Sequence, residues 1–168
     1  MKKLGALIII LAAVYIIVFA SGCTGTHNTI DEPDITAEYL SGEYAAQLVR
    51  DGALVIFGSI EIIEDEDGTI LVYVDEKEYV EDADQPNGFY IADKNLDSTY
   101  QLSYESRATF LPGGSSTPEA MYADEFVGAA TRDNIEFGAD NPGYSEYKLY
   151  DIYIMGDQIE LLIARYIP

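Results

Sequence analysis

The stretch Ala53–Val80, ALVIFGSIEIIEDEDGTILVYVDEKEYV, decides the fold. Leu54, Ile56, Ile60 and Ile62 fall two residues or a multiple of two apart. An extended chain points successive side chains to opposite sides, so these four share one face of a strand. Gly58 interrupts that face, as expected where a strand bends around a barrel. Asp67-Gly68 then signals a hairpin, because glycine accepts the positive φ of a tight turn. Thr69–Val80, rich in Ile70, Leu71, Val72, Tyr73 and Val74, is the return strand.

Working outward, Ser41 is expected to cap a short helix over Glu43–Arg50, with Tyr44, Leu48 and Val49 as its apolar contacts and Gly52 as its stop. On the other side, Glu81–Asn87 reads as an acidic loop and Gly88–Asp93 as a short strand. Thr99–Leu111 alternates, with Tyr100, Leu102, Tyr104, Ala108 and Phe110 expected inward and Gln101, Ser103, Glu105, Arg107 and Thr109 outward. After the breaker Pro112-Gly113-Gly114-Ser115-Ser116, Thr117 and Pro118 read as the cap and first residue of a helix over 118–130 that buries Met121, Phe126 and Val127. Tyr147–Met155 and Gln158–Ile167 are the last strands, joined at Gly156-Asp157. The predicted class is mainly β (α+β), with one N-terminal and one inserted helix. The order of strand, strand, strand, helix, strand, strand resembles the small five-stranded OB-like barrel, and a half-open β-roll is the other architecture that fits it.

The N-terminus is a different kind of sequence. Lys2 and Lys3 precede the apolar run Leu4–Phe19, which ends in Ala20-Ser21-Gly22 directly before Cys23. Positive start, apolar stretch and small residues are the parts of an export signal. The ending resembles the lipobox of bacterial lipoproteins, although Ala20 stands where leucine is usual. That resemblance implies that residues 1–22 form a signal peptide and that a diacylglyceryl group is added to the Cys23 sulfur. Two acyl chains, at about 0.8 kcal/mol per buried methylene, anchor a protein stably. An uncleaved signal anchor is the other reading, because about 20 apolar residues span a bilayer. Residues 23–36 read as the lipidated cysteine and a flexible tether, and residues 37–168 as one β-rich domain. The phrase Gly88-Phe89-Tyr90-Ile91-Ala92-Asp93-Lys94-Asn95 and the ending Arg165-Tyr166-Ile167-Pro168 are similar to those of a group of uncharacterised bacterial lipoproteins. That likeness implies the tethered β domain and no particular activity.

Charge and residue inventory exclude several functions. Thirty Asp and Glu face nine Lys and Arg, a formal charge of −21. Loss of residues 1–22 would remove two lysines, leaving 30 acids, 7 bases and a charge of −23. Such a field repels phosphate backbones, so no nucleic-acid partner is expected although OB-type barrels often bind one. Cys23 is the only cysteine, which rules out a disulfide framework or a thiolate metal cluster within one chain. The only histidine, His27, lies in the tether, so the domain lacks the commonest general base. Ser115-Ser116 has no accompanying base, and no catalytic residue or cofactor is assigned.

Clustered carboxylates suit Ca²⁺, which makes Asp65, Asp67, Asp82 and Asp84 the candidate metal ligands, provided the barrel brings their two loops together. They do not form an EF-hand loop. With Gly68 at the sixth position, the first and twelfth would be Ile63 and Val74, neither of which is a ligand. Tyr147, Tyr150 and Tyr153 read as strand fillers in preference to a sugar- or peptide-binding face. The functional expectation is a lipid-anchored extracytoplasmic binding or interaction module of the cell envelope, held on the outer side of a cell membrane. Its expected partners are the membrane, through the anchor, and an envelope protein or glycan. The alternatives are an envelope hydrolase using acidic residues and an acidic cation-binding domain.

Overall fold

The computed structural model describes residues 35–167 apart from 114, 139, 140, 142, 143 and 145–147. The proposed signal segment, Cys23, His27 and nearly all of the tether lie outside the described residues. Among the described residues no helix is long and apolar enough to cross a membrane.

The chain opens with helix α1, made of the α-helical turn Ala37–Tyr39, a π-type turn Leu40–Tyr44 and an α-helical segment Ala45–Arg50. Its cap is Thr36, not Ser41: Thr36 Oγ1 accepts the Tyr39 N–H at 3.1 Å. Ser41 instead donates to the Ala37 carbonyl from inside the helix, at 2.7 Å. Threonine at this position satisfies an amide that would otherwise lack a partner, so the helix begins one turn earlier than expected. The extra turn brings in Leu40, which is fully buried, while Val49, expected as an apolar contact, is exposed.

Strands β1 (Leu54–Glu64) and β2 (Ile70–Glu81) form the predicted hairpin. Gly68 takes a φ of 80° in its turn. Strand β3 (Phe89–Phe110) is one continuous element of 22 residues where two separate strands were expected. It holds together because β2 pairs with it on both sides of a bulge. The register passes from Asp75↔Asp97 to Lys77↔Asp93, which leaves Lys94, Asn95 and Leu96 opposite Glu76 alone. Asn95 sits at a φ of 52°, a left-handed conformation that asparagine tolerates, and its N–H donates to Asp93 Oδ1 at 2.9 Å.

A second irregularity corrects the inward pattern of β3. Tyr104, expected inside, is 75% exposed, whereas Ser106 is buried. Between Leu102↔Ile159 and Arg107↔Leu161 the chain makes five steps on β3 for two on its partner, so the side-chain alternation is reset. The Ser106 hydroxyl donates to the Ile159 carbonyl at 2.6 Å and accepts the Ser103 N–H at 3.1 Å, bridging the gap. Thr109, expected outside, is also buried, and its hydroxyl accepts the Ala164 N–H at 2.8 Å.

Thr117 and Pro118 do not begin a helix. They lead into the short strand β4 (Glu119–Tyr122), which pairs with Arg107–Phe110 and covers an edge of β3 that β2 does not reach. Met121 is buried from this strand, and helix α2 follows at Ala123–Gly138. Strands β5 (Leu149–Met155) and β6 (Gln158–Arg165) close the chain around Gly156 at a φ of 62°.

The pairings run in a ring, β1–β2–β3–β6–β5 and back to β1, in which only β3–β6 is parallel. This is a small α+β barrel-like fold with OB-like strand connectivity. It has six strands, not five, because β4 is added outside the ring. Inside lie Ile56, Val72, Val74, Leu102, Ile152, Ile154, Ile159 and Leu162. Phe126 of α2 plugs one end, with its ring edge-on to Phe110 at 6.1 Å and to Tyr150 at 5.9 Å. A smaller cluster on the outer face joins Leu40, Ala45 and Leu48 of α1 to Leu161 and Ile163. Strand β6 is therefore apolar on both faces, each fully buried side chain contributing about 1.5–3 kcal/mol.

Candidate functional site

The geometry that stands out is a fork between β1 and β2. Their mutual pairing ends at Gly58↔Glu76. Beyond that point Leu54–Phe57 stay with β5, whereas Lys77–Glu81 leave with β3. Gly58 marks the crotch: a β-carbon there would collide with the Asp75 carbonyl oxygen, so only glycine lets β2 come this close before the strands part. The cleft so formed has a volume of about 510 Å³. Leu54, Val55 and Tyr79 line it and are 56%, 42% and 47% exposed. The Tyr79 ring also stacks on Phe89 at 4.8 Å, which stiffens the arm made by the far ends of β2 and β3.

Three of the seven bases that follow residue 22, Lys77, Lys94 and Arg165, line the same cleft. Each is already engaged. Lys77 bonds to Asp75 and lies 3.6 Å from Asp93, so it spans the bulge. Burial works against its charge, but the two carboxylates outweigh it and raise its pKa. Asp93 is held below the usual carboxylate range chiefly by the Asn95 amide, with burial opposing the shift and Lys77 assisting it. Lys94 bonds to Glu76 at 2.8 Å across the same bulge, and Arg165 to Asp151 at 3.1 Å. Burial nevertheless lifts the Asp151 pKa, with Arg165 opposing it. The cleft lining is thus charge-balanced, with Lys77, Lys94 and Arg165 against Glu76, Glu78 and Asp151, and interleaves these charges with apolar side chains within a strongly acidic chain.

A second cleft of about 580 Å³ lies between the outer face of β1–β2 and α2, lined by Glu61, Tyr73, Asp75 and Ile135 among others. Glu61 stands opposite Tyr73, and Asp75 opposite Asp97. A hydrogen bond to Asp97 raises the Tyr73 pKa, and burial, Asp97, Asp75 and Glu61 add to it. A phenol held protonated in this way donates hydrogen bonds and is poorly suited to act as a nucleophile.

Beside this cleft, Asp133 is buried and its Oδ1 accepts the Gly113 N–H at 2.9 Å. Lys148 pairs with Asp133 Oδ2 at 2.5 Å, donates to the Leu111 carbonyl at 3.1 Å and sits 4.3 Å from the centre of the Phe110 ring. Burial and a hydrogen bond to Asp133 push the Tyr144 pKa up to about 12. These contacts tie the breaker loop, α2 and the start of β5 together, a structural latch.

The predicted metal ligands are not brought together. Asp65 and Asp67 lie in the turn before β2, Asp82 and Asp84 in the loop after it. Twelve residues of strand, at about 3.3 Å per residue, separate the two loops by roughly 35 Å. Asp65 Oδ1 accepts the N–H groups of Asp67 at 3.0 Å and Thr69 at 2.8 Å. Asp82 Oδ1 accepts that of Asp84 at 3.0 Å. These carboxylates shape their own turns. Among the described residues no three His, Cys, Asp or Glu side chains gather in a way that would hold a metal ion.

Of the three singled-out tyrosines, Tyr150 is a core residue and Tyr153 packs beside the α1 cluster, while Tyr147 lies outside the described residues. The fork was missed, but it leaves a trace. Leu54-Val55-Ile56-Phe57 is an unbroken apolar run in which alternation fails, because this segment meets the barrel interior on one face and the cleft on the other. The chain matches no family model, no curated protein and no solved structure.

Proposed function

We propose that the protein is a lipid-anchored, extracytoplasmic binding module of the cell envelope, and that the β1–β2 fork is its binding site. The anchor is supported by the sole cysteine standing directly behind Ala20-Ser21-Gly22. The site is supported by one observation above all: three large apolar side chains left exposed around a charge-balanced cleft on a chain of net charge −21. Exposed apolar groups gathered at a concave site mark recognition surfaces. Two measurements test the reading. Photo-crosslinking from position 79 in the native host should give a discrete adduct, and from position 136, on the exposed side of α2, none. Equal labelling at both positions, or none at either, rejects the site. Replacing Cys23 by Ser should release the chain from the membrane fraction or leave it unprocessed, and an unmodified Cys23 with an intact Met1 in native membranes rejects the anchor.

A further inference from the structure

We propose that the fork accepts an extended segment of a partner polypeptide as an added β-strand, a segment with apolar residues at alternate positions and a net positive charge. This rests on the reading of the fork as the binding site and adds the class of ligand.

Backbone is what the fork offers most of. On the β2-facing side of Leu54–Phe57 and on the β1-facing side of Lys77–Glu81, the described residues supply no strand partner. Two open edges of four and five residues therefore face one cleft. Unpaired edge N–H and C=O groups are the template for strand addition, and pockets for alternate side chains give such binding its selectivity. Leu54, Val55 and Tyr79 are placed to receive those side chains.

The electrostatics choose among polypeptides. Lys77, Lys94 and Arg165 are occupied by Asp75, Asp93, Glu76 and Asp151, and all of these but Arg165 and Asp151 serve to pin the bulge that swings the arm away from β1. An anionic ligand would meet those four carboxylates and the negative field of the whole chain, whereas a basic segment leaves the pairs intact and is drawn in by that field. A glycan would use the aromatic ring of Tyr79 but would leave the two open edges without partners.

The test uses the full chain purified in detergent and an end-blocked peptide of about nine residues in which valine alternates with lysine or threonine. Binding is followed by fluorescence anisotropy. Binding should weaken about tenfold or more when the peptide is N-methylated at alternate residues in one of the two registers, because that removes edge hydrogen bonds and leaves side chains and charge intact. Tyr79→Ala and Leu54→Ser should each weaken it several-fold. Ile135→Ser, at a still more exposed apolar site outside the fork, should not. Added NaCl should slow association. Peptide binding that is indifferent to N-methylation in both registers overturns strand addition. If a soluble peptidoglycan fragment binds in a Tyr79-dependent way and the peptide does not, strand addition falls and the binding site stands. If neither ligand binds, both fall.

Discussion

Gly58 and the carbonyl of Asp75 pack so closely that a single methyl group on residue 58 has nowhere to go. The obstacle is backbone on both sides, which relaxes less readily than a side chain. Gly58→Ala is expected to cost about 1–3 kcal/mol by overpacking, a fall in melting temperature of roughly 4–11 °C. Circular dichroism melts of the two proteins check this. An unchanged melting temperature means that β1 and β2 separate more easily than the close contact implies.

Removal of one partner of the Asp133–Lys148 pair, 2.5 Å apart, leaves a buried carboxylate without its cation. Lys148→Met should therefore destabilise the fold by about 3 kcal/mol, and the double change Asp133→Asn with Lys148→Met by distinctly less. Urea unfolding of the three proteins measures the difference. Additive losses would show that the two side chains do not act as a pair.

Tyr144 supplies a pH signature. Its pKa is raised from 10.0 to about 12 in the folded chain, so between these values the folded state keeps a proton that the unfolded state has lost. Stability from this group is complete below pH 10 and declines as pH rises toward 12. Tyr144→Phe should make that decline shallower, with buried Tyr150, whose pKa is also raised, sustaining the remainder, and should leave melts at pH 7–9 nearly parallel to the parent. An equally steep alkaline loss in the variant would point to other groups.

Salt should stabilise the chain without selectivity for calcium. Thirty carboxylates repel one another, and a Debye length of about 10 Å at 0.1 M screens much of that repulsion. Because Asp65 and Asp67 sit at the opposite end of β2 from Asp82 and Asp84, CaCl₂ and NaCl of matched ionic strength should raise the melting temperature equally. A saturable shift seen with CaCl₂ alone would reveal a site that these four residues do not explain.

The β1–β2 hairpin, the two helices, the Gly156 turn and the barrel connectivity were all legible, because period-two patterning and turn chemistry are local properties. What stayed hidden is non-local. Thr117-Pro118 carries a good helix-start signal, yet the open edge of Arg107–Phe110 captures Glu119–Tyr122 as a strand first. Tyr104 follows its neighbours' alternation in sequence, but the register jump against β6 turns it outward. The fork is hidden for the same reason: which strand each half of β2 follows depends on a bulge whose three residues, Lys94-Asn95-Leu96, look unremarkable in isolation.

The bulge has a consequence for how the molecule can change. Past Glu76 the ladder between Lys77–Glu81 and Phe89–Asp93 is continued by no third strand among the described residues. Its length is set by its own turn and not by the barrel's shear. Residues added to the tip in matched pairs would extend the ribbon while keeping each side chain on its original face, and the interior around Phe126 would not register the change. The arm is thus the part of this chain most open to lengthening, shortening or grafting. Its length and sequence can drift while the barrel stays fixed.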